Sequence, residues 1–184
     1  MTVDILALAA HPDDVEISCA GTLIKMVSQG KKVAIVDFTE GELGTRGTVT
    51  TRYAEAKAAS AIMGLHAREN LQLGDGFFEV DEVALMKVIT AIRKYQPTTL
   101  LINAPKDRHP DHGRAAELSL RAAFLSGLPK IKTPGYAPHR PKNVFHYIQD
   151  IPLEPDVLVD VSPFMEQRMD AVKAYSTQFF DPNS

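Results

Sequence analysis

Two short segments of this sequence concentrate side chains that bind metals or transfer protons. They are "AHPDDVE" at 10–16 and "DRHPDHG" at 107–113. Their imidazoles and main candidate carboxylates are His11, Asp13, Asp14, His109, Asp111 and His112. Neutral imidazoles and carboxylates are the usual ligands of a catalytic zinc, which takes three protein ligands and leaves one position for water. The segments therefore predict a divalent-metal site with a surplus carboxylate as general base. The residue types alone do not assign Asp13 and Asp14 to these two roles.

A simpler interpretation of the first segment is a capped helix start, because Asp favours the N-cap position. Glu16 fits that interpretation, since a carboxylate in the first helical turn interacts favourably with the helix dipole. The second His/Asp segment follows another predicted strand in the same way. This repetition favours metal binding over capping alone for His11 and Asp14.

The elements around these segments alternate between strands and helices. Apolar runs predict strands at 4–10, 32–38, 70–73, 98–104, 144–149 and 156–161. Apolar periodicity predicts helices at 16–30, 52–65, 82–97, 113–127 and 164–176. This alternation predicts a Rossmann-like α/β fold, in which helices cover both faces of a mainly parallel sheet in a single domain. Ligands of such sheets lie beyond the carboxyl ends of the strands, where 11–14, 39–47 and 107–113 all fall.

The composition is that of an ordinary soluble globular protein and argues against several classes. The 184 residues are 45% hydrophobic and carry a net charge of −3, without the basic excess of a nucleic-acid-binding surface. No apolar run approaches the ~20 residues of a membrane span, and we expect no secretory signal at the N-terminus. The single cysteine, Cys19, fits a reduced cytoplasmic compartment. The proline-rich region 128–143 predicts a surface loop that forms a substrate wall or an oligomer contact, and we expect a homo-oligomer.

"AHPDDVE" and "HPDHG" (109–113) resemble the paired motifs of the LmbE-like, or PIG-L-like, zinc N-deacetylases. Members of this family remove acetyl from N-acetylglucosaminyl compounds. Segment 39–65 is similar to the branch that deacetylates N-acetylglucosaminyl-L-malate in bacillithiol synthesis. The resemblance covers most of the chain and implies hydrolysis of an N-acetyl amide on a small sugar conjugate. It implies Zn²⁺ as cofactor, with another divalent metal such as Fe²⁺ as the alternative.

The resemblance also implies a role for each matched residue. The implied zinc ligands are His11, Asp14 and His112. Asp13 would be the general base that activates water. His109 would stabilise the oxyanion or protonate the leaving amine, with Asp111 as its orienting partner.

Three arginines match or flank the positions that the resemblance places near the substrate. Arg52 and Arg108 are the stronger candidates, and Arg46 in the "GELGTRG" loop (41–47) is the weaker one. A malate carboxylate would suit a bidentate guanidinium. The loop itself lacks the Gly-Lys-Ser/Thr ending of a phosphate-binding loop, so we expect it to line the sugar site.

Two alternatives remain open beside the malate compound. The substrate is another N-acetylglucosaminide, or the chain is a non-catalytic carbohydrate-binding or metal-binding module on the same fold. The resemblance treats 1–184 as one LmbE-like domain. Relatives usually continue past "FFDPNS", which leaves open whether a C-terminal segment covering the active-site edge is missing.

Overall fold

A five-stranded, fully parallel sheet forms the centre of the protein. The computed structural model describes residues 2–179, so most of the final "FFDPNS" lies outside the described residues. The strands are β1 (Ile5–Ala9), β2 (Val33–Thr39), β3 (Ala67–Leu73), β4 (Thr99–Ile102) and β5 (Asn143–His146). They lie in the order β3-β2-β1-β4-β5, and each neighbouring pair is parallel. The predicted α/β fold with a mainly parallel sheet is therefore confirmed.

Two helical layers cover this sheet. The helices are α1 (Asp14–Ser18), α2 (Ala20–Ser28), α3 (Val49–Met63), α4 (Glu82–Tyr95), α5 (Pro110–Leu125), α6 (Met165–Lys173) and α7 (Ser176–Phe179). Successive side chains of a strand point to opposite faces. Leu6 and Leu8 of β1 accordingly belong to the core formed with α4 and α5, whereas Ala7 and Ala9 belong to the core formed with α2, α3 and α6. Burial on both faces explains the continuous apolar run of β1. Within residues 2–179, no helix combines the length and apolar character needed to cross a membrane.

Two helices, α3 and α5, begin earlier in the chain than the apolar periodicity predicts. Thr48 and Thr51 form a reciprocal capping box, so α3 begins at Val49 rather than at 52. Pro110 occupies the first position of α5, where its missing N–H costs no hydrogen bond. The helix therefore begins at Pro110 rather than at 113, and His112 lies in its first turn.

The prediction of one continuous helix at 16–30 is wrong, because the structure has two helices in this region. The chain leaves the helical conformation at Cys19, whose φ is −133° and ψ is 11°, and this residue separates α1 from α2. Glu16 is completely buried in α1 and forms an ion pair with Arg68, which also binds Asp37 through Nε at 2.7 Å and Nη2 at 2.9 Å. Glu16 thus has a cationic partner in addition to the helix dipole.

The predicted strand at 156–161 is also wrong. Its apolar residues favoured a strand, but the segment forms no strand in the structure, and Val157, Leu158 and Val159 are exposed. A strand needs a neighbour for its backbone hydrogen bonds. On this side the sheet ends at β5, whose partner is β4.

The proline-rich loop at 128–143 lies at the amino-terminal edge of the sheet. Arg93, in the last turn of α4, donates hydrogen bonds to the carbonyl groups of Leu128 and Ile131. At its far end, Lys142 N–H donates to the carbonyl of Thr98, which immediately precedes β4. Because ligand sites of parallel sheets lie at the opposite, carboxyl edge, the interpretation of this loop as a substrate wall is wrong.

Candidate metal centre

Loops from several strands meet beyond the carboxyl edge of the sheet. The ring centroids of His11, after β1, and His109, after β4, lie 4.6 Å apart. The rings of His109 and His112 stack at 5.2 Å. Residues 39–47 join this group because the Leu43 N–H donates to Oδ2 of Asp75, which follows β3. The predicted convergence of the three polar segments is therefore confirmed.

Asp14 lies between the two histidines that flank it. Its Oδ2 is 3.7 Å from Nδ1 of His11, and its Oδ1 is 3.1 Å from Nε2 of His112. Asp14 is only 2% exposed, and the backbone N–H of His11 donates to its Oδ2 at 3.0 Å. Asp14 therefore contacts both of the histidines that the resemblance names as ligands.

In both His11 and His112, the ring nitrogen that does not face Asp14 contacts a second carboxylate, which we call the outer carboxylate. Asp75 Oδ1 lies 3.0 Å from Nε2 of His11, and Asp107 Oδ2 lies 2.7 Å from Nδ1 of His112. Each ring therefore directs its other nitrogen towards Asp14. Metal-binding histidines almost always have such a partner, which fixes the tautomer and the orientation of the ring. The donor set and its supports fit a divalent cation.

The electrostatics of this cluster favour a positive charge. Burial lowers the pKa of His11, but hydrogen bonds to Asp111, Asp14 and Asp75 outweigh burial and raise that pKa to about 12. The pKa of His112 is also raised, because Asp14 and Asp107 outweigh burial. The same contacts hold the pKa of Asp14 well below its usual value against the opposing effect of burial. The carboxylates therefore stabilise any cation here, whether a proton or a metal.

The cluster offers more than one combination of metal-ligating atoms. Within the described part of the chain, three groups have donor atoms within 4.8 Å of one another. These groups are His11, His109 and His112; His11, Asp75 and Asp111; and Asp107, His112 and Asp150. Each group contains His11, His112 or both, and none of the three contains Asp14.

Asp13 has a different side-chain partner from Asp14. Its Oδ2 accepts a hydrogen bond from Nη1 of Arg52 at 2.9 Å. Its backbone has a φ of 113°, which a non-glycine residue adopts only under strain. Burial and the neighbouring Asp14 raise the pKa of Asp13 to about 8, while Arg52 opposes this rise. A carboxylate with a raised pKa beside the candidate metal ligands suits proton transfer near neutral pH.

His109 is arranged as a neutral hydrogen-bond donor. Its Nδ1 accepts the backbone N–H of Asp111 at 3.2 Å, which leaves the proton on Nε2. Burial and the nearby His11 and His112 lower its pKa, so the neutral ring is favoured. The Asp111 carboxylate accepts the Gly76 N–H at 2.8 Å and lies 3.4 Å from Nε2 of His11, whereas the contact of Asp111 with His109 is made by its backbone N–H.

The three arginines occupy different environments. Arg52 is 7% exposed and contacts Asp13. Arg108 has a 75% exposed side chain whose Nε lies 3.3 Å from Asp150. Arg46 is exposed on the 41–47 loop, and its carbonyl accepts a hydrogen bond from Gln178. Only Arg108 therefore combines an exposed side chain with a place beside the second motif.

Sequence reasoning missed four residues of this site. Asn103 and Gln149 donate to the two carboxylate oxygens of Asp14 at 3.2 and 3.0 Å, and Gln149 Oε1 is buried with no hydrogen-bond partner among the described residues. Asp75 and Asp107 are the outer carboxylates. Asp107 adjoins the second motif, and Asp75 follows a strand as the motif residues do. Position after a strand was the signal that could have identified them.

Comparisons with known proteins identify a family model, similar sequences and similar solved structures. A family model described as "PIG-L: GlcNAc-PI de-N-acetylase" matches residues 6–123. The diacetylchitobiose deacetylase of Thermococcus kodakarensis is 30% identical over 190 residues, which cover 95% of this chain and 70% of that protein. The probable N-acetyl-alpha-D-glucosaminyl L-malate deacetylase 2 of Bacillus anthracis is 26% identical, covering 95% and 81%. The crystal structure of the conserved protein TT1542 from Thermus thermophilus has a TM-score of 0.93 and 38% identity, covering 97% and 80%.

Proposed function

The chain belongs to the PIG-L family of de-N-acetylases, and from this premise we propose that it is a metal-dependent hydrolase of N-acetylated sugar conjugates. The reaction adds water across the acetamide C–N bond and yields a free amine and acetate. The family resemblance of the two motifs is confirmed by the matches over most of the chain. The non-catalytic alternative is disfavoured by Asp13, because a closed structural metal site needs no general base.

The observation that carries this proposal is the placement of Asp14 between His11 and His112, with an outer carboxylate on each ring. We assign these three residues as the metal ligands. A divalent ion held there would polarise the substrate carbonyl and lower the pKa of a bound water molecule towards ~7. Zn²⁺ is the first candidate because of the mixed imidazole and carboxylate donors.

Asp13 and His109 supply the proton chemistry in this proposal. Asp13 takes a proton from the attacking water, for which its raised pKa is suited. The neutral ring of His109 donates its Nε2 proton in a hydrogen bond to the oxygen that becomes negatively charged. The leaving nitrogen then receives a proton from one of these two groups.

For the substrate we propose an N-acetylglucosaminyl conjugate, with N-acetylglucosaminyl-L-malate as the first candidate. The similarity of 39–65 to that branch and the Bacillus anthracis relative support it. The Thermococcus kodakarensis relative favours a second candidate, an N-acetylated amino sugar without a malate group. Both candidates present the same reacting acetamide.

The test is release of free amine from a panel of N-acetylglucosaminides, with and without a chelator. We expect hydrolysis that a chelator abolishes and added Zn²⁺ restores. The His11→Ala variant, which lacks an assigned ligand, is the control for contaminating activity. Absence of hydrolysis from the metal-loaded wild-type protein on every compound would reject the proposed function.

A further inference from the structure

Arg52 makes two hydrogen bonds with one nitrogen to adjacent residues of the first motif. Its Nη1 donates to Oδ2 of Asp13 at 2.9 Å and to the backbone carbonyl of Pro12 at 2.7 Å. It therefore holds both the carboxylate of Asp13 and the peptide group that precedes this residue. These contacts come from α3, 39 residues further along the chain.

Asp13 needs such external support because its backbone is strained. Its φ of 113° lies in the region that side chains disfavour, and no side chain caps α1 at this point. A conformation of this kind persists only where the surrounding structure over-determines it. Arg52 is well placed to impose it, since α3 is fixed by its capping box and by buried Ala56 and Ala59.

Gly41 and Gly44 of the 41–47 loop lie against the other atoms of the Arg52 guanidinium. A β-carbon added at Gly44 would lie 3.3 Å from Nη2 of Arg52 and 3.1 Å from the carbonyl oxygen of Gly41. A β-carbon at Gly41 would lie 3.5 Å from Cζ of Arg52. With only 7% of Arg52 exposed, a substrate carboxylate has little access to this guanidinium.

We infer that Arg52 is a positioning residue for Asp13, and that the loop at 41–44 holds Arg52 in place instead of binding the sugar. This inference rests on the proposed function for the role of Asp13. It differs from the substrate-carboxylate contact that the family resemblance implies for Arg52. Arg52 acts on turnover only through the orientation of Asp13, and it should serve every N-acetylated substrate alike.

The experiment compares Arg52→Ala, Arg52→Lys and the exposed control Lys57→Ala, which lies on the same helix. Each is assayed on a neutral N-acetylglucosaminide and on N-acetylglucosaminyl-L-malate, with metal content measured in parallel. We expect Arg52→Ala to lower kcat by about the same factor on both substrates, with KM and metal content little changed. Lysine or added guanidinium ion should restore part of kcat, and Lys57→Ala should behave as wild type. A loss confined to KM for the malate compound would overturn the inference.

A double-mutant cycle with Asp13→Asn separates positioning from a general effect on folding. If Arg52 acts through Asp13, Arg52→Ala should lower kcat much less in the Asp13→Asn background than in the wild type. An equal loss in both backgrounds would show an independent role and reject the inference.

Melting temperatures of the same four proteins give a readout that needs no turnover. We expect the two substitutions to be non-additive, because their side chains are in direct contact. Additive melting temperatures would reject the inference even if the wild type hydrolysed none of the compounds. Failure of the proposed function would appear separately, as an inactive wild-type protein.

The Gly44→Ala variant tests whether the 41–44 loop holds Arg52 in place. The added methyl group must displace the Arg52 side chain or the Gly41 carbonyl, so we expect a smaller loss of kcat in the same direction as Arg52→Ala. Wild-type kcat in this variant would overturn the assignment of the loop as the support of Arg52.

Discussion

Oδ2 of Asp107 lies 2.7 Å from Nδ1 of His112, and this contact determines which imidazole nitrogen faces Asp14. Asp75 has the equivalent relationship with His11, although it contacts the opposite ring nitrogen. We predict that Asp107→Asn and Asp75→Asn each weaken metal binding by ~10–100-fold, the usual effect of losing such an outer partner. Competition with a chelating dye measures this change. Exposed Asp170→Asn on α6 is the control, and unchanged affinity in both variants would contradict the assigned tautomers.

Removal of an assigned ligand should have a larger effect on the metal. We predict that His11→Ala, Asp14→Ala and His112→Ala each abolish tight zinc binding, because an open catalytic site has only three protein ligands. Elemental analysis of the purified variants gives the occupancy, and circular dichroism shows whether each variant is folded. Full zinc occupancy in all three would be evidence for a different ligand set, in which the contribution of His109 would be tested next.

Removal of the proton-transfer groups should leave the metal in place. We predict that Asp13→Ala retains zinc and loses ~10²–10⁴-fold in kcat, the range for a positioned proton-transfer group. His109→Ala should also retain zinc, with a loss of ~10²–10³-fold if it acts as an oxyanion donor. Near-normal turnover with full metal content would remove the residue concerned from the mechanism.

Metal binding should release protons and become tighter as pH rises. In the metal-free protein the carboxylates raise the pKa of His11 to about 12 and also raise that of His112, so protons compete with the metal at neutral pH. Each proton released should strengthen binding by about tenfold per pH unit. Calorimetry in buffers of different ionisation enthalpy counts these protons between pH 6 and 8. An affinity independent of pH would contradict the raised pKa values.

Arg108 should affect substrate preference only modestly. Its side chain is 75% exposed and already contacts Asp150, and solvent-exposed ion pairs contribute only ~0.2–1 kcal/mol. We predict that Arg108→Ala lowers the kcat/KM ratio of malate compound to neutral compound by at most about fivefold. Arg121→Ala, which alters an exposed arginine on α5, is the control. A wild type without preference for the malate compound would reject that substrate and leave the deacetylase proposal intact.

The sequence predicted the sheet and the meeting of the two motifs because both depend on local pattern. β1 and β4 are short apolar runs, and polar residues at the ends of parallel strands share one edge. The proximity of the motif residues His11 and His112 could therefore be predicted from the sequence.

The misses arise where tertiary contacts decide the outcome. The apolar segment 156–161 has the composition of a strand but lies beyond the last strand of the sheet. The partners of Asp14 at Asn103 and Gln149 belong to no motif, and only the folded chain shows their proximity. Likewise, the residue type of Arg52 and its neighbours in sequence do not show that this side chain is buried against Asp13.

The strand order has a consequence for the geometry of the metal centre. From β1 the chain proceeds outwards through β2 to β3, and then returns to the other side of β1 as β4. The connections that follow β1 and β4 consequently leave towards opposite faces of the sheet, α2 to one core and α5 to the other. Asp14 begins α1 and His112 lies in the first turn of α5, so the distance between them depends on the relative position of the two helical layers. A smaller side chain deep in either layer, for example at Leu118, would therefore change the distance between these two candidate ligands without contacting either of them.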